Sequence, residues 1–351
     1  MQIIETPQKL LSIIIPAYNM EKYLSRCMES LVSAKAVLPL IEILIINDGS
    51  KDATLNIAHG YQNLYPQSVL AIDKENGNYG SCVNRGLKEA TGKYIKVLDA
   101  DDYFLTQNIE RLINALKTFD VDLILTDYDV VNPLGKVIKM KKFDFPQNEV
   151  LDIEHYCNCQ KFEKVQMHAV TYRTDLLKTI NYYQSEGISY TDQEWIFEPM
   201  AHVKSFCYTG IVLYQYLLGR EGQTMSETQR RKYISHQLKG LCAQINAYGR
   251  NVSICNENMK QYMLAKMMQR VHSIYFKTLF MKCLDIKSLI ELDEFIRTKN
   301  AELFLASENV VIHRFIPFHY IRWWRMHKTK EFPQWIVNSV VVLAKIAKSP
   351  S

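Results

Sequence analysis

Short apolar runs alternate with stretches of helical periodicity along the first half of this 351-residue chain. Nearly continuous apolar runs are typical of strands that are buried on both faces of a sheet. The predicted strands are Leu11–Ile15, Ile41–Ile46, Val69–Ile72, Tyr94–Leu98 and Asp122–Thr126. The predicted helices are Tyr23–Ser33, Asp52–Leu64, Ser81–Ala90 and Thr106–Phe119. This alternation predicts an α/β fold in which helices cover both faces of a mainly parallel sheet, and Thr106 is the expected N-cap of the fourth helix.

The pattern changes in the second half of the chain. Residues 130–146 lose their periodicity and predict a hairpin followed by a loop. Two further strands and a short helix are predicted at Met167–Tyr172, Ile211–Leu217 and Asp192–Met200. Long helical stretches then follow at Glu227–Tyr248, Met259–Phe280 and Ile286–Arg297. We therefore predict two domains, an α/β domain at residues 1–226 and a mainly α-helical C-terminal region at residues 227–351.

Polar, turn-rich segments directly follow four of the predicted strands. These segments are Pro16–Asn19, Asn47–Ser50, Asp73–Gly80 and Asp99–Asp102. In open α/β sheets, ligands bind at the carboxyl ends of the strands. Because four such segments meet at one edge of the predicted sheet, we expect a binding site at that edge.

The sequence Asp99-Ala100-Asp101-Asp102 ends a short apolar run with three carboxylates. In an extended chain, residues i and i+2 point to the same face, so Asp99 and Asp101 can face one point. Like charges that close repel each other unless a cation or a proton lies between them. We therefore predict a Mg²⁺ or Mn²⁺ site with a diphosphate as co-ligand. The alternative is a solvated acidic turn in which Asp102 caps the next helix.

Composition and cysteine usage narrow the class of protein. The chain is 48% hydrophobic and 23% charged, which provides enough apolar material for a large core. Its eight cysteines form no CxxC pair and no Cys/His cluster with zinc spacing, and Cys157 and Cys159 are too close in sequence for good disulfide geometry. Since Met1–Leu11 does not resemble a signal peptide, we expect reduced thiols in the cytoplasm.

The net charge of +5 is concentrated near the C-terminus. Residues 311–351 contain seven Lys or Arg residues and a single acidic residue, Glu331. No window reaches the roughly 20 apolar residues that a bilayer span requires. Aromatic and basic residues alternate over Phe315–Trp335, which suits the interface of an anionic membrane; the alternative is that these aromatics pack a helical subdomain. Pro317 and Pro333 exclude one continuous helix there.

Four segments, in this order and spacing, resemble the family 2 glycosyltransferases with a GT-A fold. They are Ser12–Asn19, Ile45–Asp52, Lys74–Leu87 and Val97–Asp102. The resemblance covers roughly residues 10–226 and does not reach the last third of the chain. It implies a Rossmann-like α/β fold and the transfer of a sugar from a nucleotide-sugar donor.

The resemblance assigns the first two loops to the nucleotide. Pro16, Ala17 and Tyr18 would line the base and ribose pocket. Asp48 would accept a hydrogen bond from a pyrimidine imide, which is uracil in the family. Ser50 would cap the next helix, and the alternative for this loop is an ordinary turn and N-cap. The nucleotide-sugar-binding candidates are Pro16, Ala17, Tyr18, Asn19, Asp48, Ser50, Asn78, Gly80, Asn84, Asp99, Ala100 and Arg220.

Asp99 and Asp101 resemble the Asp-x-Asp pair of the family. By analogy, Asp99 faces the ribose or an ion-bound water, and Asp101 holds the metal that bridges the diphosphate. Such a cation neutralises the charge that builds up on the departing nucleoside diphosphate. Arg85, which follows Asn84 on a helix near this loop, would contact a phosphate or remain a solvated helical arginine.

A transferase of this kind also needs a base for the acceptor hydroxyl. Tyr190–Trp195 resembles the acidic motif of the family downstream of the metal pair. Asp192 would be that base, on the far side of the sugar carbon from the diphosphate, and such an in-line displacement inverts the anomeric centre. The alternative is that Asp192 caps the helix that contains Trp195, and Glu194 is the second candidate base.

The segment Arg220–Ser226 resembles the flexible loop that closes over the diphosphate in some members of the family. Arg220 would supply a bidentate phosphate contact, and a solvent-exposed loop is the alternative. Processive members carry a Gln-x-x-Arg-Trp motif together with membrane spans. The nearest string here is His319–Trp323, far downstream and with His in place of Gln, so we expect one sugar to be added per encounter.

These features together predict an inverting, non-processive glycosyltransferase with a nucleotide-diphosphate sugar as donor, UDP-linked as the first choice. The expected acceptor is a glycan or a lipid-linked glycoconjugate of bacterial polysaccharide assembly. We expect a cytoplasmic protein with peripheral contact at the inner face of an anionic membrane, and no nucleic-acid partner; a homo-oligomer is left open.

Two other functions are compatible with parts of the sequence. A sugar-1-phosphate nucleotidyltransferase also uses metal-bound aspartates, but it requires a Gly-rich, basic triphosphate loop that Pro16–Asn19 does not resemble. A non-catalytic partner subunit would keep the fold without turnover, and the presence of Asp99, Asp101 and Asp192 argues against it.

Overall fold

The structure, a computed structural model, describes most of the chain. The described residues are 8–157, 162, 164–220, 234–313, 316–327, 332–338 and 340. They form two compact units, one before and one after the stretch 221–233, with residues 256–259 grouped with the first unit. The boundary between residues 226 and 227 lies outside the described residues and stays a prediction.

A ten-stranded sheet forms the centre of the first unit. Its strands are β1 (Leu11–Ala17), β2 (Ile41–Asn47), β3 (Val69–Asp73), β4 (Tyr94–Val97), β5 (Tyr103–Phe104), β6 (Leu123–Val131), β7 (Val137–Lys141), β8 (Leu151–Asp152), β9 (Val170–Arg173) and β10 (Ser205–Leu217). The order is β3-β2-β1-β4-β9-β6-β10-β5, with β7 on β6 and β8 on β10. Strands β3, β2, β1 and β4 are parallel, as predicted, whereas β9 pairs antiparallel with both β4 and β6, so the far half of the sheet is mixed.

Helices connect and cover these strands. They are α1 (Leu24–Val32), α2 (Thr54–Leu64), α3 (Asn78–Glu89), α4 (Thr106–Thr118), α5 (Ile153–Tyr156), α6 (Thr174–Thr179) and α7 (Asp192–Trp195). The predicted N-cap is wrong, because Leu105 precedes α4 without a side-chain cap and the Thr106 hydroxyl donates to the Ser30 carbonyl at 2.8 Å. The helix predicted at Asp192–Met200 ends at Trp195, and a separate 3₁₀ turn begins at Pro199.

Strands β1, β2 and β4 are buried almost throughout, whereas β3 at the edge of the sheet is partly exposed. All seven residues of β1 are buried, and they pair in register with β2 from Leu11 opposite Ile41 to Ala17 opposite Asn47. Helix α3 lies directly on this strand, because a Cβ placed on Gly86 would meet the Ile14 side chain at 2.6 Å. This close approach fixes the position of α3, whose first turn lies at the carboxyl edge of the sheet.

The predicted hairpin at residues 130–146 is confirmed. Strands β6 and β7 pair antiparallel from Tyr128 opposite Lys141 to Val131 opposite Val137. All nine residues of β6 are buried, whereas β7 is exposed or half-buried throughout. The hairpin therefore begins inside the sheet and projects away from it.

The second unit is helical, so the predicted α-helical C-terminal region is confirmed. Its helices are α8 (Ile234–Asn251), α9 (Glu257–Met281), α10 (Ile286–Lys299), α11 (Ala301–Ser307) and α12 (Tyr320–Met326), of which α9 begins in the segment grouped with the first unit. None of the described helices combines the length and the hydropathy that crossing a bilayer requires.

The aromatic and basic tail contributes to the core of this second unit. Tyr320 and Trp324 are buried, and Trp323 stacks on Phe332 with ring centroids 4.4 Å apart. Trp335 is 71% exposed. Most of the aromatic residues of this segment that the structure describes therefore pack a helical subdomain, which was one of its two interpretations. The tail residues that lie outside the described part of the chain are Arg314, Phe315, Lys328, Lys330, Glu331, Lys345 and Lys348.

Arg325 and Asp293 form a buried ion pair in this unit, with side chains 6% and 1% exposed. Replacing Arg325 by Leu would leave the Asp293 carboxylate buried without its counter-charge, which costs about 3–5 kcal/mol. We expect this loss in the free energy of unfolding measured by urea denaturation. The control is Arg297→Leu, which removes an exposed pair with Glu294 and should change stability little. Equal losses in the two variants would contradict the buried pair.

Candidate active site

The carboxyl ends of β1, β2 and β3 are joined by hydrogen bonds between their loops. The Asp48 amide donates to the Ala17 carbonyl at 2.9 Å, and the Lys74 amide donates to the Asn47 carbonyl at 3.0 Å. The Asn47 side-chain amide donates to Asp73 Oδ1 at 2.6 Å. The polar segments that follow these strands therefore lie side by side at one edge of the sheet.

Asp48 is buried at this edge and already has partners within the protein. It is 3% exposed, and its Oδ1 accepts from Lys74 Nζ at 2.7 Å and from the Gly77 amide at 2.9 Å. The ammonium of Lys74 also donates to the Ser81 hydroxyl at 2.8 Å. Lys74 was not predicted, although its position directly after β3 was a usable signal. The contact of Asp48 with a uracil imide stays a prediction.

The loop after β1 is fastened to the loop after β2. Asn19 has a positive φ of 53°, and its amide donates to the Ser50 hydroxyl at 3.0 Å. Ser50 does not cap α2, so that expectation is wrong; Asp52 accepts from the Thr54 amide at 3.0 Å instead. Tyr18 is 47% exposed beside this junction.

Two further candidates lie within β1 itself. Pro16 and Ala17 are its last residues, and both are buried. Together with Tyr18, they end the strand where the polar loops meet, and their contact with a base or ribose stays a prediction.

Gly80 and Asn84 connect α3 to residues 182–187. A Cβ on Gly80 would overlap the Ser185 carbonyl oxygen, so the helix and that segment are in backbone contact there. The Asn84 amide donates to the Gln184 carbonyl at 2.8 Å, and its oxygen accepts from the Gln184 amide at 2.8 Å. Asn78 begins the helix with a positive φ of 66°. The structure therefore gives Gly80 and Asn84 structural partners, and their contact with a nucleotide sugar stays a prediction.

Arg85, on the same helix, pairs with a residue of its own helix. Its Nε lies 2.9 Å from Glu89 Oε1, one turn along the helix, and the arginine side chain is 41% exposed. This arrangement corresponds to the solvated-helix interpretation of Arg85.

Asp102 holds strand β10 against the end of β4. It is fully buried, and its two carboxylate oxygens accept from the Tyr214 hydroxyl and from the Leu217 amide, each at 2.7 Å. The same Tyr214 oxygen accepts from the Asp99 amide at 3.1 Å. The solvated turn in which Asp102 caps a helix is therefore wrong, because its carboxylate is committed to β10.

Asp101 has two arginine partners. Its carboxylate forms an ion pair with Arg220 Nε, and both side chains are nearly buried. The Asp101 carbonyl accepts from Arg26 Nη2 at 2.9 Å. The guanidinium of Arg220 lies 5.1 Å from the centre of the Tyr23 ring. Arg220 is thus placed beside the Asp-x-Asp pair, and residues 221–226 of its segment lie outside the described residues.

Asp99 lies where several acidic groups meet. The Tyr79 hydroxyl donates to its Oδ1 at 2.7 Å, and the buried Ala100 separates it from Asp101. Burial, and next the charge of Asp101, raise the pKa of Asp99 to about 7. Burial and the charges of both neighbours raise the pKa of Asp102 well above its ordinary value. A cation placed among these groups would reduce the repulsion between their carboxylates.

His168 joins this cluster, and it was not predicted. Asp99, Asp102 and His168 each offer a ligand atom, and these atoms lie within 4.8 Å of one another. His168 Nδ1 is buried and has no hydrogen-bond partner among the described residues. Burial and the charge of Lys96 lower the pKa of His168 to about 3, which leaves the imidazole neutral, the form that binds metals. Two carboxylates and a neutral imidazole suit Mn²⁺ or a related divalent ion.

Lys96 fixes the backbone that carries His168. It is fully buried in β4, and its Nζ donates to the carbonyls of His168 at 2.8 Å and Val170 at 3.0 Å. Burial lowers the pKa of Lys96 to about 7. The signal in the sequence was a lysine in an otherwise apolar strand, and we missed it.

Asp192 and Glu194 differ in their freedom to act as a base. Asp192 is half-buried at the first position of α7 and accepts from the Gln193 side-chain amide at 2.9 Å. After burial and Asp101, its charge also contributes to the raised pKa of Asp99, so the two carboxylates lie within electrostatic range. Glu194 is 7% exposed, and its Oε2 accepts from the Ser185 amide at 2.8 Å. This structural bond favours Asp192.

A groove of about 920 Å³ runs beside α3. Its lining includes Lys74 and Gly77, which hold Asp48, and also Asn84 and Tyr182. The groove therefore borders the Asp48 end of the site.

The raised pKa of Asp99 predicts how stability varies with pH in metal-free buffer. The unfolded chain loses this proton near 3.8 and the folded protein near about 7, so stability falls as pH rises between these values. Asp99→Asn cannot ionise. At about pH 8 we expect the free energy of unfolding of Asp99→Asn to exceed that of the wild type by about 2 kcal/mol, because the half-buried Asp99 keeps part of its contact with water. At about pH 4 we expect no difference. Asp175→Asn, at an exposed position, is the control. An equal difference at both pH values would refute the assignment.

Comparisons with known proteins identify the family of the chain. The model of the family described as "Glycosyl transferase family 2" matches residues 12–178. The uncharacterized glycosyltransferase YibD of Escherichia coli K12 is 30% identical over 232 residues, which are 65% of this chain and 67% of YibD. The minor teichoic acid biosynthesis protein GgaB of Bacillus subtilis 168 is 25% identical over 236 residues, which are 65% of this chain and 25% of GgaB.

The fold is shared with a solved structure. The crystal structure of S. aureus TarS 1–349 in complex with UDP-GlcNAc superposes with a TM-score of 0.64 at 21% identity, over 85% of this chain and 84% of that chain. This likeness confirms the predicted GT-A fold. The present chain spans a quarter of the length of GgaB and about two thirds of YibD. On the match at residues 12–178 and the similarity to YibD, the chain belongs to glycosyltransferase family 2.

Proposed function

We propose that this protein transfers one monosaccharide from a nucleotide-diphosphate sugar to an acceptor hydroxyl with inversion of the anomeric centre. The observation that carries the proposal is the arrangement at the carboxyl end of β4. There Asp99 and Asp101 lie beside a guanidinium, and Asp192 lies within electrostatic range. This arrangement supports a site for a diphosphate leaving group close to a base for a hydroxyl.

Arg220 is suited to the diphosphate. In the present structure its guanidinium neutralises Asp101. A guanidinium can donate two parallel hydrogen bonds to a phosphate, so a bound diphosphate would compete with Asp101 for it. The chemistry that a bound divalent cation supplies at this place is neutralisation of the charge on the leaving diphosphate. Arg220 and the acidic cluster therefore have complementary tasks at one leaving group.

Two sets of residues are available to hold the cation. The sequence motif pairs Asp99 with Asp101, and the structure brings Asp99 together with Asp102 and His168. Asp99 belongs to both sets. His168 Nδ1 is buried without a hydrogen-bond partner among the described residues, which favours the second set.

Asp192 is the proposed general base. Its carboxylate would take the proton from the acceptor hydroxyl while that oxygen bonds to the anomeric carbon and the bond from this carbon to the diphosphate breaks. The hydroxyl enters opposite the leaving group, so the configuration inverts. Glu194 keeps its bond to the Ser185 amide and holds residues 182–187 in place.

The proposed donor and acceptor rest on the proteins to which this chain is similar. A UDP-sugar is the first choice, since Asp48 suits a uracil imide and the solved TarS structure contains UDP-GlcNAc. GgaB is named for teichoic acid biosynthesis, and TarS of Staphylococcus aureus is named as a poly(ribitol-phosphate) β-N-acetylglucosaminyltransferase. We propose a bacterial surface polysaccharide or its lipid-linked precursor as acceptor, reached from the cytoplasmic side and extended by one sugar per encounter.

Release of nucleoside diphosphate from UDP-, GDP- and dTDP-sugars tests the reaction. We expect release from a UDP-sugar in the presence of Mn²⁺ or Mg²⁺ and an acceptor. Asp192→Asn should lower the transfer rate about a hundredfold or more, because the hydroxyl loses its base, while UDP affinity measured by calorimetry stays unchanged. Asp175→Asn, an exposed aspartate, is the matched control. Unaltered transfer in Asp192→Asn would contradict its role.

Titration of Mn²⁺ in the presence of UDP distinguishes the two ligand sets. We expect Asp99→Asn and His168→Ala each to weaken Mn²⁺ binding about tenfold or more, because each removes a ligand atom. Asp101→Asn should have a smaller effect, because Asp101 is not one of the three residues whose ligand atoms lie within 4.8 Å of one another. A loss in Asp101→Asn with unchanged binding in His168→Ala would instead support the Asp-x-Asp set.

A further inference from the structure

The tip of the β6–β7 hairpin carries apolar side chains that contact no core. We define the hairpin tip as residues 132–142. Its residues 133–140 are all exposed, including Leu134 at 92%, Met140 at 64% and Ile138 at 52%. Neither face of β7 is buried, so the strand contributes little to the stability of the sheet. Exposed apolar side chains grouped in this way indicate a contact surface.

The same segment is strongly basic. It contains four lysines and no acidic residue: Lys136, Lys139, Lys141 and Lys142. Within the described part of the chain, none of the four forms an ion pair. Burial, followed by the charges of Lys139 and Lys164, lowers the pKa of Lys141. Lys142 lies within electrostatic range of the buried Asp127, whereas the tip itself contains no acidic residue, so its net positive charge suits an anionic partner.

The turn is built to hold Leu134 outward. Asn132 Oδ1 accepts from the amides of Leu134 at 3.0 Å and Lys136 at 2.9 Å. The Gly135 amide donates to the Asn132 carbonyl at 2.8 Å, and Gly135 has a φ of +76°. A Cβ on Gly135 would meet no atom within 4 Å, which shows how open the tip is. Leu134 is thus presented by an ordered turn.

The hairpin leaves the sheet at the edge that carries the acidic cluster. The Val131 carbonyl, at the last residue of β6, accepts from the Leu218 amide at 2.8 Å. The adjacent Leu217 amide donates to Asp102 Oδ1 at 2.7 Å. Hydrogen bonds from two adjacent amides, those of Leu217 and Leu218, therefore link Asp102 of the candidate active site to Val131, the residue before the tip.

We propose that the hairpin tip binds an anionic lipid surface, with Leu134, Ile138 and Met140 in the headgroup region and the lysines at the lipid phosphates. A soluble polyanion would use the lysines and leave the apolar side chains in water. Pairing of β7 with a second copy of the chain is disfavoured because lysines on an edge strand oppose strand addition. Basic residues with protruding apolar side chains match a membrane interface.

This inference rests on the proposed function only for its purpose, which is to bring a lipid-linked acceptor to the site. The proposal also differs from the sequence analysis in where the membrane contact is expected. The sequence placed that contact in the aromatic tail, most of whose described aromatics are packed in the helical unit.

Co-sedimentation of the full chain with vesicles tests the proposal. The vesicles contain phosphatidylglycerol and phosphatidylcholine in equal parts, and pure phosphatidylcholine vesicles are the comparison. Each lysine near an anionic surface contributes roughly fivefold to binding, so Lys136→Gln with Lys139→Gln should weaken partitioning about 25-fold. Leu134→Ser should weaken it about tenfold through lost apolar burial.

Matched controls lie outside the hairpin tip. Lys117 is an exposed lysine in the last turn of α4, and Leu64 is 72% exposed at the end of α2. Lys117→Gln and Leu64→Ser should bind vesicles as the wild type does. If the hairpin variants bind as tightly as the wild type, or the wild type ignores anionic vesicles, the proposal is wrong.

Two further measurements separate this proposal from its rivals. A concentration-dependent dimer that Leu134→Ser abolishes would show that the tip contacts a second copy, and would overturn the lipid assignment. Donor-dependent UDP release without vesicles should be equal in the wild type and Leu134→Ser. Absence of release in both, with vesicle binding intact, would reject the proposed reaction and leave the membrane surface standing.

Discussion

Three carboxylates within four residues repel one another at the end of β4, and the surrounding structure is arranged to contain that repulsion. Asp102 is held by two donors from β10, Asp101 by the guanidinium of Arg220, and Asp99 by a tyrosine of α3. These partners come from distant parts of the sequence. The acidic motif therefore ties the two halves of the sheet together, while burial, and next the charge of Asp101, keep the pKa of Asp99 raised.

Parts of this arrangement were open to prediction because a single local feature decides them. The first four strands were predicted correctly because each is a short apolar run bounded by turn residues, which is a local signal. The mixed half of the sheet was not predictable, because the direction of β9 depends on its partners β4 and β6. Helix α3 begins at Asn78 rather than Ser81, and the residue before it, Gly77, accepts at its carbonyl from the Gly187 amide at 2.8 Å, a partner far along the chain.

The site shows the same division between motif and context. The motif residues indicate where the site lies. They do not indicate which of these residues form hydrogen bonds that hold the fold together. Asn84 and Glu194 belong to the recognised segments, and both hold residues 182–187. His168 belongs to no motif, and it reaches the cluster because the buried amine of Lys96 fixes its backbone. A lone histidine before a strand offers no signal of that kind in the sequence.

A crystal structure with Mn²⁺ and UDP tests the central claim most directly, with anomalous scattering used to locate the metal. The account predicts one manganese peak within coordination distance of Asp99, a diphosphate beside it, and the Arg220 guanidinium on a phosphate oxygen. A peak elsewhere, or a diphosphate bound far from β4 with the Arg220–Asp101 pair intact, would contradict it.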